Sequence, residues 1–312
     1  MAIVTTTAGS LAPPTADART GDRPAPPRTN ELIRPIASVA GSDQLEQTPA
    51  DAPEEDGPID GDIFPDARVV SFWGSPQLGR SILGRLSAGA AAKRLVKQAA
   101  AYDRRGERPV IPAFNLVAAI ATADAGADGL YRSRQSRTVI QTYLAAARRI
   151  GARLILDVQP GRSKPLTEVK VLARWLREPD VDLAIDPEWN VGRRGVPGRT
   201  DGVLRAATVN SVSAYLARLV NEEALPQKLF VLHQFRASSL PDRQRITPRA
   251  EVASLINFDG IGSGPAKRRG YERLSTTRLF NGFSLFYSLD QGLLSPSQVL
   301  RLHPEADFVM YQ

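Results

Sequence analysis

From Val69 onward, short apolar runs alternate with amphipathic stretches. VVSFWG, RLILDVQ, VDLAID, KLFVLHQ, EVASLINFD, FSLFYSLD and DFVMYQ are short and rich in branched and aromatic residues, which marks them as strands. PVIPAFNLVAAIA is a longer extended apolar run. Strands are expected near 69–73, 110–115, 153–158, 182–187, 229–234, 252–258, 283–289 and 307–311. Between them, AAAKRLVKQAAAYDRR carries Leu95, Val96 and Ala99 at helical spacing. SRTVIQTYLAAARRIG places Val139, Ile140, Tyr143, Leu144 and Ala147 on one face, with a serine start and a glycine end that suit helix caps. PLTEVKVLARWLRE, VNSVSAYLARLVNEE, PAKRRGYERLS and SPSQVLRL are helical in pattern. The connection 235–251, with Pro241 and Pro248, shows little helical period.

Repeated strand–helix alternation implies parallel strands with right-handed crossovers. Eight such strands in about 245 residues is the size of a closed (β/α)₈ barrel. An open doubly wound sheet is disfavoured, because no GxGxxG follows the first strand. The expected fold class is therefore α/β, a single TIM-like barrel over residues 68–312.

The first 67 residues break the pattern. They hold 10 of the 24 prolines and carry 4 basic against 12 acidic side chains. Such a segment buries too little apolar surface to offset its ordering entropy, so a disordered leader is expected over 1–67. The remainder carries 36 basic against 21 acidic residues. These are dispersed, without an RNP-like or zinc-finger pattern, so a solvated surface rather than a nucleic-acid partner is expected. There are no cysteines, which removes disulfides and thiolate metal sites. No run is long and apolar enough for a transmembrane segment. The start of the chain lacks a basic region followed by an apolar one, which suggests a cytoplasmic location. The loop GIGSGPAKRRG (260–270) lacks P-loop spacing, and no cofactor is expected.

Candidate chemistry gathers at the strand C-termini. VDLAID leads into Pro187, Glu188 and Trp189, so Asp186 and Glu188 leave one strand end beside an indole. Asp157 and Gln159 end another run, His233 and Gln234 a third, Asp259 a fourth and Asp290 a fifth. Polar groups at strand C-termini mark the active-site face of an α/β barrel. Trp73, Trp189, Tyr287 and Tyr311 lie at strand ends, where aromatic faces could stack on sugars. Closely spaced carboxylates push one pKa upward, which supplies the protonated acid that a glycosidase needs.

FWGSPQLG, LDVQPGRS, DPEW, HQF and the terminal YQ resemble a group of bacterial, mostly actinobacterial, secreted or lipid-anchored proteins that look like TIM-barrel glycoside hydrolases. The resemblance covers roughly residues 69–312. It implies export, in contrast to the location inferred from the N-terminus. The DxE of Asp186 and Glu188 is also similar to the end of the DxxDxDxE signature of chitinase-like barrels, whose glutamate is the general acid. Val181 and Ala184 stand at the other two signature positions. In the large clan of retaining barrel glycosidases, the acid lies on the fourth strand and the nucleophile on the seventh. That analogy pairs Glu188 with Asp290.

The expected function is carboxylate acid/base hydrolysis of a polysaccharide or glycoconjugate. Glu188, Asp186, Asp157 and Asp290 are the catalytic candidates. Trp73, Gln159, Trp189, His233, Gln234, Asp259 and Tyr287 are the candidates for binding a carbohydrate or other polar small molecule. Two alternatives stand beside this. One is a metal-dependent hydrolase using Asp157, Asp186, Glu188, His233 and Asp259 as ligands. The other is a barrel that binds glycans without cleaving them.

Overall fold

The computed structural model describes residues 61–312. Nine strands form one sheet: β1 (Arg68–Gly74), β2 (Val110–Ala121), β3 (Arg132–Arg134), β4 (Arg153–Val158), β5 (Val181–Ile185), β6 (Lys228–Gln234), β7 (Val252–Phe258), β8 (Phe280–Leu285) and β9 (Phe308–Tyr311). Every neighbouring pair is parallel except β2–β3. The order β1-β9-β8-β7-β6-β5-β4-β2 closes on itself through β1–β2. The molecule is an eight-stranded parallel barrel, as the alternation of apolar runs predicts. The short β3 folds back on the end of β2 as a hairpin above the rim.

Strand alternation sorts side chains between two cores. Val70, Phe72, Leu154, Leu156, Leu183, Phe230 and Leu232 pack outward, against the helices. Val69, Ala113, Ile155, Ala184, Leu229, Val231 and Met310 point inward. The helices are α1 (Ile82–Arg85), α2 (Ala88–Asp103), α3 (Arg137–Arg148), α4 (Pro165–Val171), α5 (Ala173–Leu176), α6 (Ala206–Glu223), α7 (Gly264–Leu274) and α8 (Pro296–Val299). The hydroxyls of Ser87 and Ser136 accept from Ala90 N and Val139 N and start α2 and α3. Such a cap is worth about 1 kcal/mol.

Several boundaries differ from expectation. The single helix expected over 165–178 is two short ones. The connection from β6 to β7 has no α-helix, only the 3₁₀ turns Ala237–Ser239 and Arg243–Arg245. The strand β2 runs on to Ala121, past its expected end at 115, and β8 runs over Phe280–Leu285 rather than 283–289. Asn281 and Gly282 hide its start, because they interrupt the apolar pattern. Gly282 is required there by close approach: a Cβ would lie 2.7 Å from Asn257 Oδ1. Tyr287 and Asp290 therefore lie beyond the strand.

The folded body also begins earlier than residue 68. Ile63 and Phe64, placed by composition in the leader, are buried with the inward-facing residues at the barrel base. The Phe64 ring lies 4.9 Å from that of Phe280. Burying such a side chain contributes about 1.5–3 kcal/mol, which outweighs the local proline content. Residues 1–60 of the leader expected over 1–67 lie outside the described residues. Among the described residues, no helix is long and apolar enough to cross a membrane.

Candidate active site

Inward-facing residues at the C-terminal ends of the strands build the site in two levels. The lower level is Trp73 on β1, Asp157 on β4, His233 on β6 and Ser284 on β8. Asp157 Oδ2 accepts from the Trp73 indole N–H at 2.8 Å and lies 3.3 Å from His233 Nε2. Asn257 Nδ2, on β7, is 3.1 Å from His233 Nδ1 and donates to Ser284 Oγ at 2.8 Å. Asp157 is fully buried and His233 is 3% exposed. Both lie beneath the floor of the cleft.

The upper level faces solvent through a cleft of ≈ 410 Å³. Asp186, Glu188 and Asp259 all line it. Asp186 follows β5 directly, and Pro187–Trp189 form a 3₁₀ turn that carries Glu188 and Trp189 toward the opening. Pro187 fixes that turn and ends strand pairing. Gln159, after β4, donates from Nε2 to Asp186 Oδ2 at 3.3 Å and accepts from Ala121 N at 3.1 Å. Asp259, after β7, accepts from Gln312 Nε2 at 2.7 Å. Trp73 and Trp189 contribute aromatic surface to the walls.

Seven expected site residues thus reach the cleft or support it from below: Trp73, Asp157, Gln159, Asp186, Glu188, His233 and Asp259. Trp189 joins them at the wall. Three do not join the site. Asp290 is held by Lys267 Nζ at 2.5 Å and by the backbone amides of Gly262 and Phe286 at 3.3 and 2.9 Å. Its side chain is 1% exposed, so it ties two loops together and faces no ligand. Gln234 ends β6 on the outer face. It donates to Arg236 O and accepts from Arg243 Nη1 at 3.0 Å. Tyr287 stacks on Tyr311, with ring centroids 5.2 Å apart, and donates to Gln98 Oε1 on α2 at 3.1 Å. Tyr311 is itself buried against Tyr102. Both tyrosines belong to the interface between barrel and helix.

Other lining residues went unnoticed in the sequence. Arg80 and Ser81 come from the loop after β1, and Gly198, Thr200 and Asp201 from the long loop after β5. Phe235 and Arg236 follow β6, and Phe286, Ser288 and Leu289 follow β8. Loops after strands carry these residues, and their composition has no period to read. Phe235 alone had a signal, standing next to the strand-end His233 and Gln234.

The electrostatics separate the acids. Burial pushes the Glu188 carboxyl up, Asp259 adds repulsion, and the group reaches about 8 despite opposition from Arg236. Burial and then the neighbouring Glu188 hold Asp186 well above the usual carboxylate range. Asp259 is also raised by burial, against the pull of His233 and Lys267. Burial disfavours a charge on His233, but the Asp157 carboxylate beside it overcomes this and brings the imidazole up to about 9.

These shifts share one sign. Glu188 loses its proton near 4.5 when exposed and about 8 in the fold; for His233 the values are 6.5 and about 9. Between pH 6 and 9 the folded chain therefore holds protons that the unfolded chain has released. Stability falls as pH rises through that window. Differential scanning calorimetry should show the melting temperature dropping by several degrees from pH 6 to pH 9. A flat or rising profile would mean that the two groups titrate normally.

Among the described residues, no three His, Asp or Glu side chains are grouped as ligands of one metal ion. The ligand set expected for a metal-dependent hydrolase is not assembled. Comparison with models of known protein families and with curated proteins finds no match for this chain.

Proposed function

We propose that the protein is a barrel glycoside hydrolase acting on a polysaccharide or glycoconjugate. One observation carries this reading: four carboxylates, Asp186, Glu188, Asp201 and Asp259, and two indoles share a single cleft at the C-terminal end of a parallel barrel.

Glu188 is the general acid. It is protonated at neutral pH and stands on the turn nearest the opening, so it can deliver a proton to a leaving glycosidic oxygen. Burial, with repulsion from Asp259, keeps that proton in place. Asp259 is the opposing carboxylate. It leaves β7 rather than β5, and its hydrogen bond from Gln312 favours the charged form. It serves as base or nucleophile as positive charge develops on the sugar ring. This replaces the expected partners. Asp157 is shielded beneath Trp73, and Asp290 is occupied by Lys267. Trp73 and Trp189 supply apolar faces for the sugar, and Gln159 supplies polar atoms at its edge.

The test is release of new reducing ends from a broad panel of glycans. Cleavage of at least one substrate is expected, with a rate that falls as pH rises through about 8 and Glu188 ionises. Binding of glycans without cleavage would leave the barrel as a lectin-like module. Cleavage with no such alkaline limb would remove Glu188 as the acid.

A further inference from the structure

The cleft carries two guanidinium groups that the hydrolysis of a neutral sugar does not need. Arg80 stands on the loop after β1 and Arg236 on the loop after β6. In the closed ring, β1 and β6 are four strands apart by either route. The two cations therefore flank the mouth from opposite sides. Arg80 is exposed and has no ion-pair partner among the described residues. Arg236 lies over the ring of Phe235, 4.6 Å from its centroid, and pairs with Asp201. Asp201 is 74% exposed, on the long loop after β5.

An ion pair so open to water contributes little stability. An incoming anion could take the place of Asp201 on Arg236 with little loss, since one acid replaces another. A guanidinium has five N–H donors, and its planar fork matches a carboxylate or a phosphate. Phe235 holds the fork from one side, so it is ordered before the ligand arrives. On the floor, Asp259 is the acid whose charged form opposes an incoming anion. Burial keeps protons on Asp186 and Glu188, so less negative charge faces the mouth than the residue types suggest.

We infer that the cleft selects anionic glycans, sugars bearing a carboxylate or phosphate, with Arg236 and Arg80 as the residues that determine this specificity. The inference rests on the glycan reading of the cleft but does not depend on its being catalytic. Arg236, next to Glu188 in the field of the site, receives the acidic group of the sugar nearest the acid. Arg80, across the mouth, receives that of a sugar further along the chain. A neutral glycan would leave the Arg236–Asp201 pair intact and gain nothing from either arginine.

The experiment is calorimetric titration at low salt, in a Glu188→Gln background that prevents turnover. The probes are an oligogalacturonate, a hyaluronan tetrasaccharide and a phosphomannan fragment, each beside its carboxyl-reduced or dephosphorylated counterpart. At least one acidic probe should bind about tenfold or more tightly than its neutral form, as charge-assisted pairing predicts. Arg236→Met and Arg80→Met should each remove most of that preference and leave the neutral form unaffected. Added salt should have the same effect. The carboxylate and phosphate probes identify which anion is recognised. Equal binding of acidic and neutral forms would overturn the inference, as would no binding of any acidic probe. So would a preference that survives both arginine variants. Because Arg80 is exposed and unpaired, Arg80→Met keeps the test open even if Arg236→Met disturbs the fold. Charge-dependent binding without cleavage by the wild type would retire the hydrolase reading alone. Cleavage of neutral glycans only would retire this one alone.

Discussion

Glu188→Gln is expected to reduce turnover by ~10²–10⁴-fold while leaving the melting temperature close to that of the wild type. Gln keeps the size of the side chain and its place on the turn after Pro187, but it has no proton to give. Among the described residues the Glu188 side chain has no hydrogen bond or ion pair that holds the fold together, and its environment raises the energy of its charge rather than relieving it. Removing the acidic proton therefore removes chemistry more than stability. Initial rates on any glycan that the wild type cleaves, with a melting curve at the same pH, decide the matter. Unchanged turnover would exclude Glu188 as the acid. A collapse of the melting temperature would show instead that the carboxyl is structural.

The second large effect is expected one level lower. Asp157→Ala should destabilise the protein by about 3–5 kcal/mol, the usual result of stripping one partner from a buried ion pair. Asp157 Oδ2 is shared by the Trp73 indole and the His233 imidazole, and Asp157 and His233 are buried in the barrel. Without it, His233 must keep an unpaired charge in the interior or give up its proton, and the Trp73 N–H loses its acceptor. For a domain of this size the melting temperature should fall by roughly 10 °C. Trp73 fluorescence should shift as the indole loses its tether. The double variant Asp157→Asn, His233→Gln removes both charges, so it should recover a good part of the loss. Normal melting of Asp157→Ala would mean that the pair contributes nothing to the fold.

These two residues show what could be read from the chain and what could not. Asp157, Asp186, His233 and Asp259 were recognisable as site residues because each ends a short apolar run, and the ends of parallel strands meet at one rim. Their division into floor and foundation was hidden. It depends on the stagger between strands, which sets Asp157 and His233 one level below Asp186 and Asp259. Asp290 and Tyr287 misled for a related reason. Asn281 and Gly282 conceal the start of β8, so a strand counted from Phe283 carries both residues to an end they never reach. The opposite error occurred at Ile63 and Phe64. Proline-rich, acidic neighbours made them look unstructured, yet two apolar side chains with a matching cavity suffice to anchor a segment. Arg80 and Arg236 were invisible because loop residues converge only through the closure of the barrel.

The seal that Ile63 and Phe64 place at the base has a consequence for traffic through the molecule. With Phe280 and Phe308 beside them, they make the barrel a cup rather than a tube. Whatever enters must leave by the same mouth. A long polymer cannot be threaded through and processed in successive steps along a channel. A glycan of the proposed kind would meet the barrel only at that mouth, by a chain end dipped into the cup or by a bend laid across the rim.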